Sequence, residues 1–189
     1  HRFIVMELIA DTTLLRRLSE GALHNYEVAD LGAQLADALA YVHSRGIVHR
    51  DVKPANILIS DEGSSGFART VKLTDFGVAH FVDGSRLTND GTVIGTAAYL
   101  SPEQVAGEPI SFATDVYSLG LVLLEALTGK QEYSGTLIEA ALARLRRDPE
   151  VPDDVADEWR ELLSRMTARD PERRPTAVAI ANALRGGST

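Results

Sequence analysis

Cysteine is absent from all 189 residues, which excludes disulfide bridges and thiolate metal centres and suits a reducing compartment. Long apolar runs are missing as well. The longest, Leu119 to Leu124, is interrupted by Gly120 and stopped by Glu125, far short of the thickness of a bilayer. No stretch has the form of a secretory signal peptide. Positive charge is scarce: 19 Lys and Arg against 27 Asp and Glu leave a net charge of −8, which argues against a nucleic-acid-binding surface. The first residue is His1, and the only early methionine, Met6, lies inside an apolar run, so the sequence reads as a fragment whose N-terminal part is missing. What remains is 44% hydrophobic, a globular composition, and long enough for one domain or most of one with a sizeable core.

The richest stretch in polar chemistry is His49-Arg50-Asp51-Val52-Lys53-Pro54-Ala55-Asn56. It lies between two apolar runs, Ile47-Val48 and Ile57-Leu58-Ile59, which predict strands flanking an extended loop. Residues two apart in extended backbone project to one side, so Asp51 and Lys53 are expected to face a common centre. Pro54 stiffens the loop just past the lysine. Asn56 adds a side-chain carbonyl able to ligate a hard cation such as Mg²⁺. A carboxylate for a hydroxyl proton, a fixed cation for a phosphate and an oxygen ligand for magnesium are the parts that phosphoryl transfer requires.

Elsewhere the patterning predicts ordinary elements. Phe3 to Leu8 reads as a strand and Leu14 to Leu18 as a short helix. Arg16-Arg17-Leu18-Ser19 happens to have the form of a phosphorylation target, but such a run is far more often a solvated helix end. Val28, Leu31, Leu35, Leu39 and Val42 mark an amphipathic helix, with Asn25 as candidate N-cap and Gly46 as its stop. Ser60 to Thr70 reads as a surface hairpin, and Val71-Lys72-Leu73 as a strand leading into Asp75-Phe76-Gly77. Val78 to Leu100 is long and irregular, which in a compact domain signals function. Thr114 to Thr128 is apolar nearly all round, the mark of a buried helix, and Gly129 closes it. Asp115 near its start therefore needs hydrogen-bond donors. Three further helices are expected at Thr136 to Arg147, Asp154 to Met166 and Thr176 to Leu184, with Trp159 in the core. Arg144, Arg146 and Arg147 could dock an acidic partner, but read first as a solvated face.

From Phe3 to Leu184 these motifs resemble the large lobe, plus hinge, of a eukaryotic-like serine/threonine protein kinase. Val52 to Asn56, and Val93-Ile94-Gly95-Thr96 through Glu103-Gln104, look like the bacterial branch. The resemblance implies a mainly α fold within an α+β superfamily: a helical bundle around a buried central helix, with short β-hairpins at the active site. It divides the chain into a last small-lobe strand and hinge (1–9), the large lobe (10–185) and the start of a linker (186–189). It makes Met6 the gatekeeper, with backbone groups of Glu7 and Ile9 bonding adenine and Leu58 helping to wall the pocket. Asp51 becomes the catalytic base and Lys53 the group that neutralises charge on the transferring phosphoryl. Asn56 and Asp75 become the magnesium ligands, and Phe76 is expected to pack on His49. Thr96 would bond Asp51 and Lys53, and Asp115 would accept backbone N–H groups of the catalytic loop. Glu103, in Ser101-Pro102-Glu103 where the family carries Ala-Pro-Glu, would pair with a buried Arg174. Arg50 before the catalytic Asp implies regulation by an anion, with Thr88 and Thr92 as phosphorylation candidates and Ser85 behind them.

The implied cofactors are ATP and Mg²⁺, with Mn²⁺ as the alternative ion. The implied partners are protein substrates carrying Ser or Thr, with no nucleic acid and no membrane segment. The implied location is the cytoplasm, the parent protein being either free or membrane-anchored. Three departures stand out. A Gly-rich phosphate loop, a strand lysine and a helix glutamate are lacking, so the chain alone is expected to transfer phosphate very slowly or not at all. Ser replaces Ala at Ser101, and His80 stands where relatives carry Arg or Lys. Two rival classes remain: a pseudokinase-like scaffold, which the intact Asp51, Lys53, Asn56 and Asp75 oppose, and a small-molecule phosphotransferase, which Thr96 and Ser-Pro-Glu oppose.

Overall fold

The computed structural model describes residues 12–60, 69–76 and 97–186. Strand β1 (Thr12–Thr13) runs directly into helix α1 (Leu14–Leu18), whose first turn is capped by the Thr13 hydroxyl accepting from Arg16 N–H. Helix α2 (Asn25–His43) follows. Its N-cap is His24 rather than Asn25, because the Glu27 carboxylate reaches back to the His24 N–H at 3.0 Å and fixes the start one residue earlier. Gly46, in the left-handed conformation at φ 74°, turns the chain after the helix.

Strands β2 (Ile57–Ser60) and β3 (Thr70–Leu73) pair antiparallel, with Ile57 opposite Leu73, and β1 pairs with the other edge of β2. Two short helices, a turn at Ala97–Tyr99 and helix α3 (Pro102–Ala106), precede the long helix α4 (Phe112–Thr128). Sequence patterning did not announce α3. Its signal is the capping box of Ser101 and Gln104 around Pro102.

Helix α4 is buried from Thr114 to Ala126, including Asp115, Ser118 and Glu125. Gly129, left-handed at φ 67°, ends it. Around this post pack α2, α5 (Leu137–Arg146), α6 (Asp157–Met166) and α7 (Ala177–Gly186). Gly120 lets α4 approach the end of α6: a Cβ there would stand 2.7 Å from Thr167 Cγ2 and 3.1 Å from Met166 Cβ. Among the described residues, no helix is long and apolar enough to cross a membrane.

Ile47-Val48 is not a strand, because the neighbouring backbone donors are directed elsewhere. Ile47 N–H goes to the Val42 carbonyl of α2, and those of His49 and Arg50 go to the Asp115 carboxylate. Arg144 does not lie on a solvated face; it is 1% exposed. Helix α6 begins at Asp157, three residues after the expected start.

Candidate active site

The site assembles where the chain leaves α2, because Asp115 on α4 catches it there. The carboxylate is fully buried. Oδ2 accepts the His49 N–H at 2.8 Å and Oδ1 accepts the Arg50 N–H at 2.8 Å. Arg50 is thereby held at φ 71°, a left-handed conformation that an arginine adopts only when its surroundings fix it. His43, a residue that motif reading passed over, completes the anchor. Its Nε2 donates to Asp115 Oδ2 at 2.8 Å, and its ring stacks on Phe112 at 4.6 Å. The available sequence signal was a histidine at the last position of α2, close to a buried acid that needed donors.

Beyond the kink the backbone straightens, with Lys53 at φ −158° and ψ 159°. Lys53 Nζ lies 2.8 Å from Asp51 Oδ2. Pro54–Asn56 forms a single helical turn, and this swings Asn56 back so that its Nδ2 donates to Asp51 Oδ2 at 2.9 Å and to the Asp51 carbonyl at 2.9 Å. One carboxylate oxygen thus receives an ammonium and an amide. With its NH₂ group turned inward, Asn56 keeps its side-chain carbonyl for a cation.

The other arm is fixed through Asn56 as well. Its backbone carbonyl accepts both the N–H and the hydroxyl of Thr74, at 2.9 and 3.1 Å, immediately before Asp75. Asp75 is exposed and left-handed at φ 56°. Among the described residues no group of three or more His, Cys, Asp or Glu could hold a metal ion. Two oxygen donors, from Asn56 and Asp75, fit an ion that keeps water and phosphate oxygens as its other ligands, the habit of Mg²⁺.

His49 sits underneath, buried, with Phe76 against its ring at 4.6 Å. Its two nitrogens have different neighbours: Nε2 faces the Thr74 carbonyl at 3.1 Å, and Nδ1 faces the Asp51 N–H at 3.3 Å. Only the neutral ring, protonated on Nε2, donates to the first and accepts from the second. Burial lowers its pKa below the ordinary 6.5, although Asp115, the Thr74 carbonyl, Asp51 and Asp75 all pull the other way. A histidine with a depressed folded pKa contributes stability that is complete above 6.5 and declines as pH falls toward the folded value. The melting temperature should therefore drop between about pH 7 and pH 5.5, before the carboxylates titrate, and His49→Phe should flatten that slope. An unchanged slope in a folded His49→Phe variant would remove the histidine from the effect.

The third wall is α3. Gln104 Nε2 donates to the Arg50 carbonyl at 3.0 Å, and its Oε1 accepts the Ser101 N–H at 2.9 Å, tying 101–104 to the residue before Asp51. Glu103 and Arg174 meet behind it as a buried, two-armed ion pair, at 2.7 and 2.9 Å. Leu58 lies half-buried on β2, one position past Ile57 and two past Asn56. Met6, Glu7, Ile9, Gly77, His80, Ser85, Thr88, Thr92 and Thr96 lie outside the described residues.

A lobe of helices around a buried post carries a carboxylate, an ammonium and an amide gathered on one loop beside a short hairpin. Comparison with known proteins supplies the class of protein. The family pattern described as "Protein kinase domain" matches residues 1–184, and the chain belongs to that family. It is 39% identical over 184 residues to the serine/threonine-protein kinase PkaA of Streptomyces coelicolor, covering 96% of this chain and 33% of that protein. It is 41% identical over 188 residues to the serine/threonine-protein kinase PknL of Mycobacterium tuberculosis, covering 95% and 45%. With PknA of the same species it shares 39% over 193 residues, covering 98% and 43%. The chain thus spans between a third and just under half of the length of these curated relatives.

Proposed function

We propose that the protein carrying this chain is an ATP-dependent serine/threonine protein kinase, and that the loop from His49 to Asn56 is its catalytic loop. The observation that carries the reading is the crowding of Lys53 and Asn56 on a single oxygen of Asp51, which leaves the other oxygen for an incoming hydroxyl. In the proposed step that hydroxyl attacks the γ-phosphorus of ATP, and the bond from phosphorus to the ADP oxygen breaks. Asp51 orients the hydroxyl and takes its proton. Lys53 neutralises charge building on the phosphoryl oxygens. Asn56 and Asp75 would hold Mg²⁺ or Mn²⁺, which supplies further charge neutralisation between the phosphates. By the family resemblance, Met6 and Leu58 would wall the adenine, backbone groups of Glu7 and Ile9 would bond its edge, and Thr96 would tie the substrate-facing segment to Asp51 and Lys53. Arg50 with Thr88 or Thr92 would form the regulatory pair. Dependence on ATP sets the proposed site of action in the cytoplasm.

The test is a transfer assay on the full reading frame, with γ-labelled ATP, Mg²⁺ and a mixture of Ser, Thr and Tyr peptides. Label on Ser or Thr, abolished by a chelator, supports the reading. Label accepted only by a small molecule such as an aminoglycoside would establish the small-molecule reading instead. Nucleotide binding without transfer to any acceptor would leave a scaffold.

A further inference from the structure

Helix α5 places its residues against their type. Ile138, Leu142 and Leu145 are 68%, 43% and 39% exposed, whereas Arg144 is 1% exposed. Burying a guanidinium away from any carboxylate is unfavourable, and here burial pushes its pKa down from the ordinary arginine value. The ring of Tyr133 lies 4.6 Å from the cation, which offsets part of that cost. Two of its nitrogens, Nε and Nη1, have no hydrogen-bond partner among the described residues. The guanidinium also interacts with the buried Tyr117 hydroxyl, and its one short hydrogen bond runs from Nη2 to the Ala98 carbonyl at 2.6 Å.

That carbonyl belongs to the turn Ala97–Tyr99, whose last residue is held as well. Ser118 on α4 donates to the Tyr99 carbonyl at 2.7 Å, and the Tyr99 hydroxyl donates to the Glu125 carboxylate. Two residues on, Ser101 caps α3, whose Gln104 bonds the Arg50 carbonyl beside Asp51. The turn is thus linked to the residue proposed as base through Ser101, Gln104 and the Arg50 carbonyl. On the kinase reading the acceptor hydroxyl must reach Asp51, so a shift of this segment would alter its approach.

We infer that Arg144 is a positioning residue for the protein substrate: by holding the Ala98 carbonyl it fixes the 97–100 wall against the catalytic loop and sets how an acceptor peptide is seated. The inference rests on the kinase reading above. The experiment compares Arg144→Met with the wild type in the full reading frame, measuring KM separately for peptide and for ATP together with the melting temperature. Methionine fills the volume without donating. Peptide KM should rise about tenfold while ATP KM stays within about twofold, the signature of lost substrate positioning. A purely structural arginine would lower the melting temperature and leave peptide KM unchanged. That result, or equal movement of both constants, overturns the inference. Should Arg144→Met fail to fold, Arg144→Lys decides. The lysine lacks the fork, so peptide KM must rise about threefold or the inference falls. A wild type that phosphorylates no Ser or Thr peptide overturns the kinase reading and this inference together; one that does so, with peptide KM unmoved in the variants, overturns this inference alone.

Discussion

Asp51→Asn is expected to lower phosphoryl transfer by about 10²–10⁴-fold in the full reading frame, the range that general base catalysis supplies. The folded state should barely change. Asparagine is isosteric, and its side-chain carbonyl can turn toward Lys53 Nζ and Asn56 Nδ2, which now stand 2.8 and 2.9 Å from Asp51 Oδ2. The pair it replaces is partly exposed, 17% on each side chain, so its loss should move stability by about 1 kcal/mol or less. ATP affinity should be nearly unaffected, since Asn56, Asp75, Leu58 and the hinge carry the proposed nucleotide contacts and Lys53 keeps its charge. Turnover, nucleotide binding and melting temperature measured on one preparation separate these effects. Unchanged turnover would remove Asp51 from the chemistry, and a collapse of the melting temperature would show that the carboxylate is chiefly structural.

The gathering of Asp51, Lys53 and Asn56 was legible because it is local. Asn56 stands five positions after Asp51, and the single turn at Pro54 needs no distant partner to bring them together. The buried post α4 was legible for a similar reason, since an apolar residue on every face admits one environment. What stayed hidden depends on contacts far apart in sequence. The apolar pair Ile47-Val48 has a strand's composition, but the donors beside it answer to Val42 and to Asp115, and the second of these cannot be read locally. His43 meets the same carboxylate from 72 positions away. Arg144 is the sharpest failure. Binary patterning assigns arginine to solvent and leucine to the core, and α5 inverts both, because the atom that Arg144 binds lies 46 positions upstream in a turn with no periodic signature.

Arg174→Met is expected to cost about 3–5 kcal/mol of folding stability, since it strands a buried carboxylate. In the native fold the Arg174 and Glu103 side chains are 0% and 3% exposed, and all five N–H donors of the guanidinium are used. Nη1 donates to Glu103 Oε1 at 2.7 Å and to the Ala113 carbonyl at 2.9 Å. Nη2 donates to Glu103 Oε2 at 2.9 Å and to the Arg169 carbonyl at 3.1 Å, and Nε donates to the Ala168 carbonyl at 2.7 Å. The network ties α3, the start of α4 and the segment after α6 at one point, so methionine loses all of these contacts. The pH dependence makes the test specific. Burial alone would raise the Glu103 pKa; the Arg174 hydrogen bonds and charge, helped by the Thr114 hydroxyl, bring it below the ordinary 4.5. In the wild type this carboxylate therefore contributes stability present above 4.5 and lost as pH falls through the lower folded value. Without Arg174 burial dominates, the folded pKa rises above the unfolded one, and the sign reverses: acid now neutralises the stranded group and relieves it. Urea denaturation at pH 7 and pH 5 should thus show a stability gap between wild type and Arg174→Met that narrows as pH falls. Adding Glu103→Gln to Arg174→Met should recover part of the gap at pH 7, because a neutral amide is far less costly to bury than a lone carboxylate. A gap below about 1 kcal/mol, or one indifferent to pH, would mean that the pair closes the surface of the lobe without holding it together.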